Sequence, residues 1–373
     1  MPLLKHHREQ VAAFQAHRRG RPSLHALVVE EIAPLTDDAV MVTFAVPGHL
    51  CEAYRFKHGQ HVAIVHDDGA GEIRRSYSIC APAGSDTLRI GIRRVPGGVF
   101  SGYATEQLRV GDTLRVMTPT GRFTTELDAT AARHYVAVAG GSGITPILSM
   151  IATILRAEPR SRFTLLYVNR TPSSTMFLDE LERLRAQHDG RLSVQHYWDA
   201  EVQPDGKPPR RLDVDSVTSL LAADARNGPV DQWIMCGPAG LMNAITATLL
   251  EHGVTEEAIL REFFTADATE DVASGSDRPL VQSEVTIRID GEEFSFALSS
   301  QGDTILAAAL PVRPQIPYSC SDGVCATCRV KVVKGEVEMD RCSALNKAEL
   351  EEGYVLACQA HPVTERVVLD FDM

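Results

Sequence analysis

The sequence predicts a multidomain chain: an antiparallel β-barrel, then a doubly wound parallel α/β domain, then a small α+β domain. Three observations carry this prediction. Short alternating strands separated by Gly, Pro and Asp run from Leu24 to Leu127, and strand and helix patterns alternate from Arg133 onward. A polar, acidic, aperiodic stretch then precedes a hairpin pattern and four cysteines. A length of 373 residues is too great for one ordinary core and fits this division.

Residues 1–22 are basic and lack an apolar stretch, so they read as an extension and not as a signal peptide. The barrel is expected at 23–127, where ALVVEEIA, AVMVTFAVP, HVAIVH, TLRIGIRRV and TLRVMTP supply the strands. The α/β domain is expected at 128–264. Its strands are YVAVA, FTLLYV, LSVQHYW and QWIMCG, and PILSMIATILRA, MFLDELERLRAQH and AGLMNAITATLLEHG supply its helices. Residues 265–283 read as a linker. From 284 to 373, VTIRI and EEFSFAL flank Asp290-Gly291 as a hairpin, and DTILAAAL reads as a short helix capped by Asp303.

Hydrophobic content of 44% and charged content of 23% describe a soluble globular protein, and no apolar run is long enough to span a membrane. With no secretory signal, the expected location is the cytoplasm. A net charge of −12 argues against a nucleic-acid partner. Residues 284–373 alone hold 15 acidic and 8 basic residues, a net of −7, which suits a basic protein partner as well as plain solvation.

Cys320, Cys325 and Cys328 stand in PYSCSDGVCATCRV and Cys358 in VLACQA. This is the C-x4-C-x2-C…C spacing of a plant-type 2Fe–2S cluster, held by thiolates and competent for single-electron transfer. Small residues between the first three cysteines let a tight loop wrap the cluster, and Gly323 opens backbone angles closed to other residues. Zinc is disfavoured because its sites show two short Cys or His pairs whereas Cys358 stands alone; disulfides are disfavoured by the missing secretory signal. Cys51, Cys80 and Cys342 have no partner at ligand spacing.

Gly140-Gly141-Ser142-Gly143-Ile144-Thr145-Pro146 follows a strand and opens a helix, as a phosphate-binding turn does. Gly97-Gly98-Val99-Phe100-Ser101 makes a second such turn in the barrel, and Arg74-Arg75-Ser76-Tyr77-Ser78 sets an aromatic ring beside an arginine and a hydroxyl. Two phosphate-suited turns in different domains suggest two nucleotides.

RSYS, GGVFS, GGSGITP and CGPAGLM in that order, followed by SCSDGVCATC, resemble the ferredoxin–NADP reductase superfamily and its oxygenase reductase components, from about residue 24 to the C-terminus. The resemblance implies an FAD barrel, an NAD(P) domain and a β-grasp 2Fe–2S domain. It implies that Arg75, Tyr77 and Ser78 hold the flavin and that Gly98 and Ser101 hold its pyrophosphate. Gly141, Gly143 and Thr145 would line the nicotinamide nucleotide, and Cys236 and Gly237 would lie near its ring. Glu262 and Phe264 match an acidic-x-aromatic motif beside the flavin. His58-Gly59-Gln60 departs from the family's Pro-Gly-Gln. Asn169-Arg170 ends the second strand of the α/β domain with a cation and no carboxylate, which favours NADPH over NADH.

The implied partners are the oxygenase subunits of a multicomponent di-iron enzyme, one that epoxidises the ring of phenylacetyl-CoA. The reductase of another aromatic-ring or steroid hydroxylase would carry the same motifs. A non-catalytic redox sensor would need neither the flavin motif nor the nicotinamide turn.

Overall fold

The computed structural model describes residues 22–67, 69, 71–200, 209, 211–213, 215–219, 221, 229–264 and 278–373. The N-terminal extension therefore lies almost wholly outside the described residues, as does most of the expected linker. The chain divides into two compact units: Leu24–Phe264, and a second that holds the described residues from Arg278 onward.

In the larger unit, strands β1 (Leu24–Thr36), β2 (Ala39–Ala45), β3 (His61–Asp67), β4 (Glu72–Ser78), β5 (Leu88–Arg93) and β6 (Thr113–Met117) form an antiparallel sheet in the order β4-β3-β6-β1-β2-β5. Ile79, just past β4, bridges Ile90 in β5, so the two edges meet and the sheet curls on itself. Alternate residues point inward: Leu27, Val29, Val42, Phe44, Ile64, Ile90 and Val116 fill the interior, each worth ~1.5–3 kcal/mol on burial. Helix α1 (Val99–Glu106) lays Phe100 and Ala104 against that interior.

The same unit continues as β7 (His134–Gly140), α2 (Ile144–Ala157), β8 (Arg162–Asn169), α3 (Leu178–Gln187), β9 (Leu192–Trp198), β10 (Gln232–Gly237), α4 (Ala239–Glu251) and β11 (Ile259–Phe263). The strands are all parallel, in the order β11-β10-β7-β8-β9. Every residue of β7 is buried, which is why it reads as a continuous apolar run. Tyr135, Ala137 and Ala139 join the core shared with α2, whereas Val136 and Val138 join the core shared with α4. The strand order turns at β7, with β8 on one side and β10 on the other, and crevices at such points hold ligands in sheets of this kind. REFF proves to be strand as well as motif, because β11 runs through it.

In the smaller unit, β12 (Gln282–Ile289), β13 (Glu292–Ser299), β14 (Arg329–Lys334), β16 (Tyr354–Leu356) and β18 (Arg366–Asp370) form a sheet in the order β13-β12-β18-β14-β16. Strands β15 (Val337–Met339) and β17 (Ala360–Pro362) pair separately, and helices α5 (Ile305–Ala309) and α6 (Lys347–Glu351) complete the unit. Asp290 and Gly291 both take positive φ, 59° and 71°, as a type I′ hairpin turn requires. The Asp372 carboxylate accepts from both their N–H groups at 3.0 and 2.9 Å. The cap of α5 is Thr304 and not Asp303: Thr304 has the extended backbone of a cap, and its hydroxyl accepts from the Ala307 N–H at 3.3 Å. Within the segment expected as linker, Arg278 is buried, the Ser300 hydroxyl donates to the Pro279 carbonyl, and β12 has begun by Gln282. Among the described residues, no helix is long and apolar enough to cross a membrane.

Candidate functional site

The four cysteines of the smaller unit come together. Cys328 and Cys358 are buried, and Cys320 and Cys325 are half-buried. The loop bends through left-handed backbone at Ser321 (φ 61°), Gly323 (φ 75°) and Ala326 (φ 53°), three small residues. The thiols lie close enough to influence one another: Cys320 is near Cys325 and Cys358, and Cys358 is near Cys328. The contact with Cys325, then that with Cys358, holds the Cys320 thiol far below the usual range, while Cys325 and Cys358 are pushed up. Among the described residues, no three His, Cys, Asp or Glu side chains gather as one metal ion would need. Four thiols brought together in this way suit a 2Fe–2S cluster, in which each iron takes two thiolates. Donors point at the sulfurs too: the Asp322 N–H reaches Cys320 Sγ at 3.4 Å and the Gln359 amide reaches Cys358 Sγ at 3.6 Å.

In the larger unit, three sequence-predicted residues from three strands converge. Ser78 ends β4 and its hydroxyl donates to Glu262 Oε2 at 3.4 Å. Glu262 and Cys236 are partners in register across β11 and β10. Glu262 is half-buried as a residue, but its carboxyl faces protein, and burial pushes its pKa up to about 8 against the opposing hydrogen bond from Ser78. Cys236 is fully buried; burial, then the Glu262 charge, raises its thiol well above the ordinary value, so it stays uncharged. Tyr77 is half-buried with its ring 5.7 Å from that of Phe100, whereas Phe264 has 36% of its surface exposed. An exposed aromatic ring beside a buried carboxyl fits a flat, uncharged ring system. Arg75 is exposed and donates to the Arg74 carbonyl at 2.7 Å.

The turn before α1 is tight. Gly97 has a φ of 73°, and a Cβ on Gly98 would lie 2.5 Å from Ser101 Oγ. The Ser101 hydroxyl accepts from the Val95 N–H at 3.1 Å and donates to the Gly98 carbonyl at 3.3 Å. Its partners are inside the turn, and the backbone N–H groups at the start of α1 are what an anion would meet.

The glycines after β7 answer to a different demand. A Cβ on Gly143 would sit 2.1 Å from the Cys236 carbonyl oxygen, and one on Gly237 would sit 2.9 Å from Gly140 Cα. These glycines let two chain segments touch, while Gly141, with a φ of 53°, faces Arg93. Thr145 is buried and its hydroxyl donates to the Ser142 carbonyl at 3.0 Å. At the ends of β8 and β9, Asn169 is buried with neither its amide N nor its O in hydrogen-bond geometry, although it lies near enough to Tyr167 to influence that hydroxyl. His196, whose ring nitrogens also lack partners, stacks on Trp198 at 5.0 Å and an interplanar angle of 8°. Orphaned polar atoms beside stacked rings fit a nucleotide. Arg170, the next residue after Asn169, is exposed.

Sequence reasoning missed the environment of His58. It is buried, its Nε2 lies 3.0 Å from the Thr125 hydroxyl and accepts from the Thr125 N–H at 3.1 Å, and burial lowers its pKa to about 4. It also missed Gln359, which carries no motif.

Three stretches of the chain match three family descriptions. Residues 26–125 match an oxidoreductase FAD-binding domain, 137–247 an oxidoreductase NAD-binding domain, and 287–363 a 2Fe–2S iron–sulfur cluster binding domain. The chain belongs to the ferredoxin–NADP reductase superfamily, in the branch with a C-terminal plant-type ferredoxin domain, and is an oxidoreductase. It is 40% identical over 353 residues to one of the subunits of 1,2-phenylacetyl-CoA epoxidase from Escherichia coli (strain K12), covering 94% of this chain and 98% of that one. It is 29% identical over 354 residues to the ferredoxin reductase component of 3-ketosteroid-9-alpha-monooxygenase of Rhodococcus rhodochrous, covering 92% and 96%. Its fold matches the crystal structure of phthalate dioxygenase reductase with a TM-score of 0.60 at 24% identity, covering 94% and 98%.

Proposed function

We propose that this chain takes electrons from NADPH in its larger unit and delivers them singly, from its four-cysteine site, to the oxygenase subunits of a multicomponent di-iron enzyme in the cytoplasm. The oxygenase is the one that epoxidises phenylacetyl-CoA; near-full-length likeness to a component of that system is the observation that carries this choice. When bound, FAD accepts an electron pair and releases electrons one at a time, and the cluster carries single electrons.

The residues have separate tasks. Tyr77 and Phe264 would hold the flavin ring. Ser78 orients the Glu262 carboxyl, which holds its proton at neutral pH and so presents a donor without a buried charge. Arg75 and the start of α1, with Gly98 and Ser101, neutralise the pyrophosphate. Gly141, Gly143, Thr145 and Gly237 would line the nicotinamide nucleotide, with the buried, uncharged Cys236 near its ring. Asn169 meets the adenosine end, and Arg170 pairs with a 2′-phosphate. Cys320, Cys325, Cys328 and Cys358 ligate the cluster.

The reductase of a steroid or other ring hydroxylase is the competing reading, since the same residues would serve it. Mixing the loaded chain with each oxygenase decides between them. Only the phenylacetyl-CoA epoxidase should couple NADPH consumption to product, and equal coupling to a steroid hydroxylase would refute the choice. Arg170→Ala should raise KM for NADPH about tenfold, the loss of ~1.4 kcal/mol, with KM for NADH unchanged.

A further inference from the structure

Gln359 follows the fourth cysteine and is almost wholly buried. Its side-chain amide makes contacts on both sides of the cluster site. It donates to the Ser321 carbonyl at 2.9 Å, inside the loop between Cys320 and Cys325, and to the Cys358 carbonyl at 2.9 Å. It also lies 3.6 Å from Cys358 Sγ in donor geometry. Its backbone is held as well: the Asp340 N–H donates to the Gln359 carbonyl at 2.9 Å, and the Asp340 carboxylate is itself gripped by Arg278 and His361. Gly323 leaves the room for this side chain, because a Cβ there would lie 3.0 Å from Gln359 Cγ.

We infer that Gln359 is a positioning residue for the cluster, tying the cysteine loop to the Cys358 strand and raising the cluster's reduction potential through the positive end of its amide dipole, whose nitrogen lies 3.6 Å from Cys358 Sγ. Three of the four ligands come from one loop, and the fourth enters from a segment 30 residues further on. Something must hold the two pieces at a fixed distance, and the Gln359 amide joins them directly. The potential follows from charge. Reduction adds one negative charge to the cluster, spread onto its sulfurs, and the positive end of an amide dipole beside a sulfur stabilises the more negative state. The neutral amide does this without burying a second charge.

The inference rests on the 2Fe–2S reading of the four thiols. The test uses the full chain as purified, with Gln359→Met to keep the shape and remove the donors, and Gln359→Glu to put an acceptor in their place. Potentials are read by electron paramagnetic resonance at fixed poise, and iron release is read with a chelator. Gln359→Met should lower the ratio of reduced to oxidised cluster about tenfold at a given poise, a shift of ~59 mV for one electron, and speed iron release at least about tenfold. Gln359→Glu should shift further the same way. Loss of the cluster from Gln359→Met, with amide-exchange protection of β12 and β13 intact, supports the positioning role. Unchanged potential and release rate would overturn the inference, and so would loss of protection throughout the smaller unit in both variants. Absence of a 2Fe–2S signal from the unmodified chain would instead overturn the cluster reading.

Discussion

The cysteine loop of the smaller unit and the β7–β10–β11 edge of the larger one build their sites in opposite ways. The loop is local: three of the four cysteines lie within nine residues, and small side chains with left-handed backbone bend the chain around them. The β7–β10–β11 edge is assembled from afar. Ser78 reaches Glu262 across 184 positions of sequence, and Cys236 joins them only because β10 and β11 lie side by side. A locally built site depends on the chemistry of its ligands, so its failures should be chemical. A site built by the fold depends on packing, so its failures should be structural.

The sharpest way to break that contrast is Cys358→Ser. It should abolish one-electron delivery to the acceptor, a loss of more than about 100-fold, while NADPH still reduces a two-electron dye through the larger unit. Steady-state assays with both acceptors check it, and equal loss of both activities would erase the distinction. Next is Gly143→Ala, which sets a Cβ against the Cys236 carbonyl at 2.1 Å; it should cost about 3 kcal/mol or more in denaturant unfolding of the larger unit and leave the cluster spectrum unchanged.

His58 gives a comparable effect through pH. Its folded pKa is about 4 against an ordinary 6.5, so the unfolded chain takes up a proton that the folded one refuses. Stability is therefore full above pH 6.5 and falls as pH drops toward 4, by about 3 kcal/mol, and His58→Gln should flatten that limb of the unfolding curve. Glu262 has the opposite sign and the smallest expected effect on turnover. Its folded pKa of about 8 exceeds its ordinary 4.5, so its contribution to stability is complete below 4.5 and fades as pH rises through 8. Flavin reduction by NADPH should show an inflection near pH 8 that Glu262→Gln removes.

The same contrast governs what the sequence made legible. The tight loop of Cys320, Cys325 and Cys328 could be read because their spacing is their geometry, and the hairpin could be read because Asp290-Gly291 is a local turn signal that both φ values honour. The cap of α5 was misplaced by one residue because Asp303 and Thr304 are both good caps and only the backbone angles choose between them. Gly143 looked like a phosphate contact, yet it also lets the turn touch β10, a demand from a partner 93 positions away that no local pattern encodes. His58 stood out only as a departure from Pro-Gly-Gln and Gln359 carried no signal, since a polar side chain becomes informative only once its buried partners are known.

The central claim is that electrons enter at the fold-built site and leave at the local one. Anaerobic rapid mixing of the loaded chain with NADPH, followed by absorbance and by electron paramagnetic resonance of frozen samples, tests it most directly. Flavin bleaching should come first and the reduced-cluster signal second, with Cys358→Ser retaining only the first. A reduced-cluster signal that precedes flavin bleaching, or bleaching that never passes to the cluster, would contradict the account.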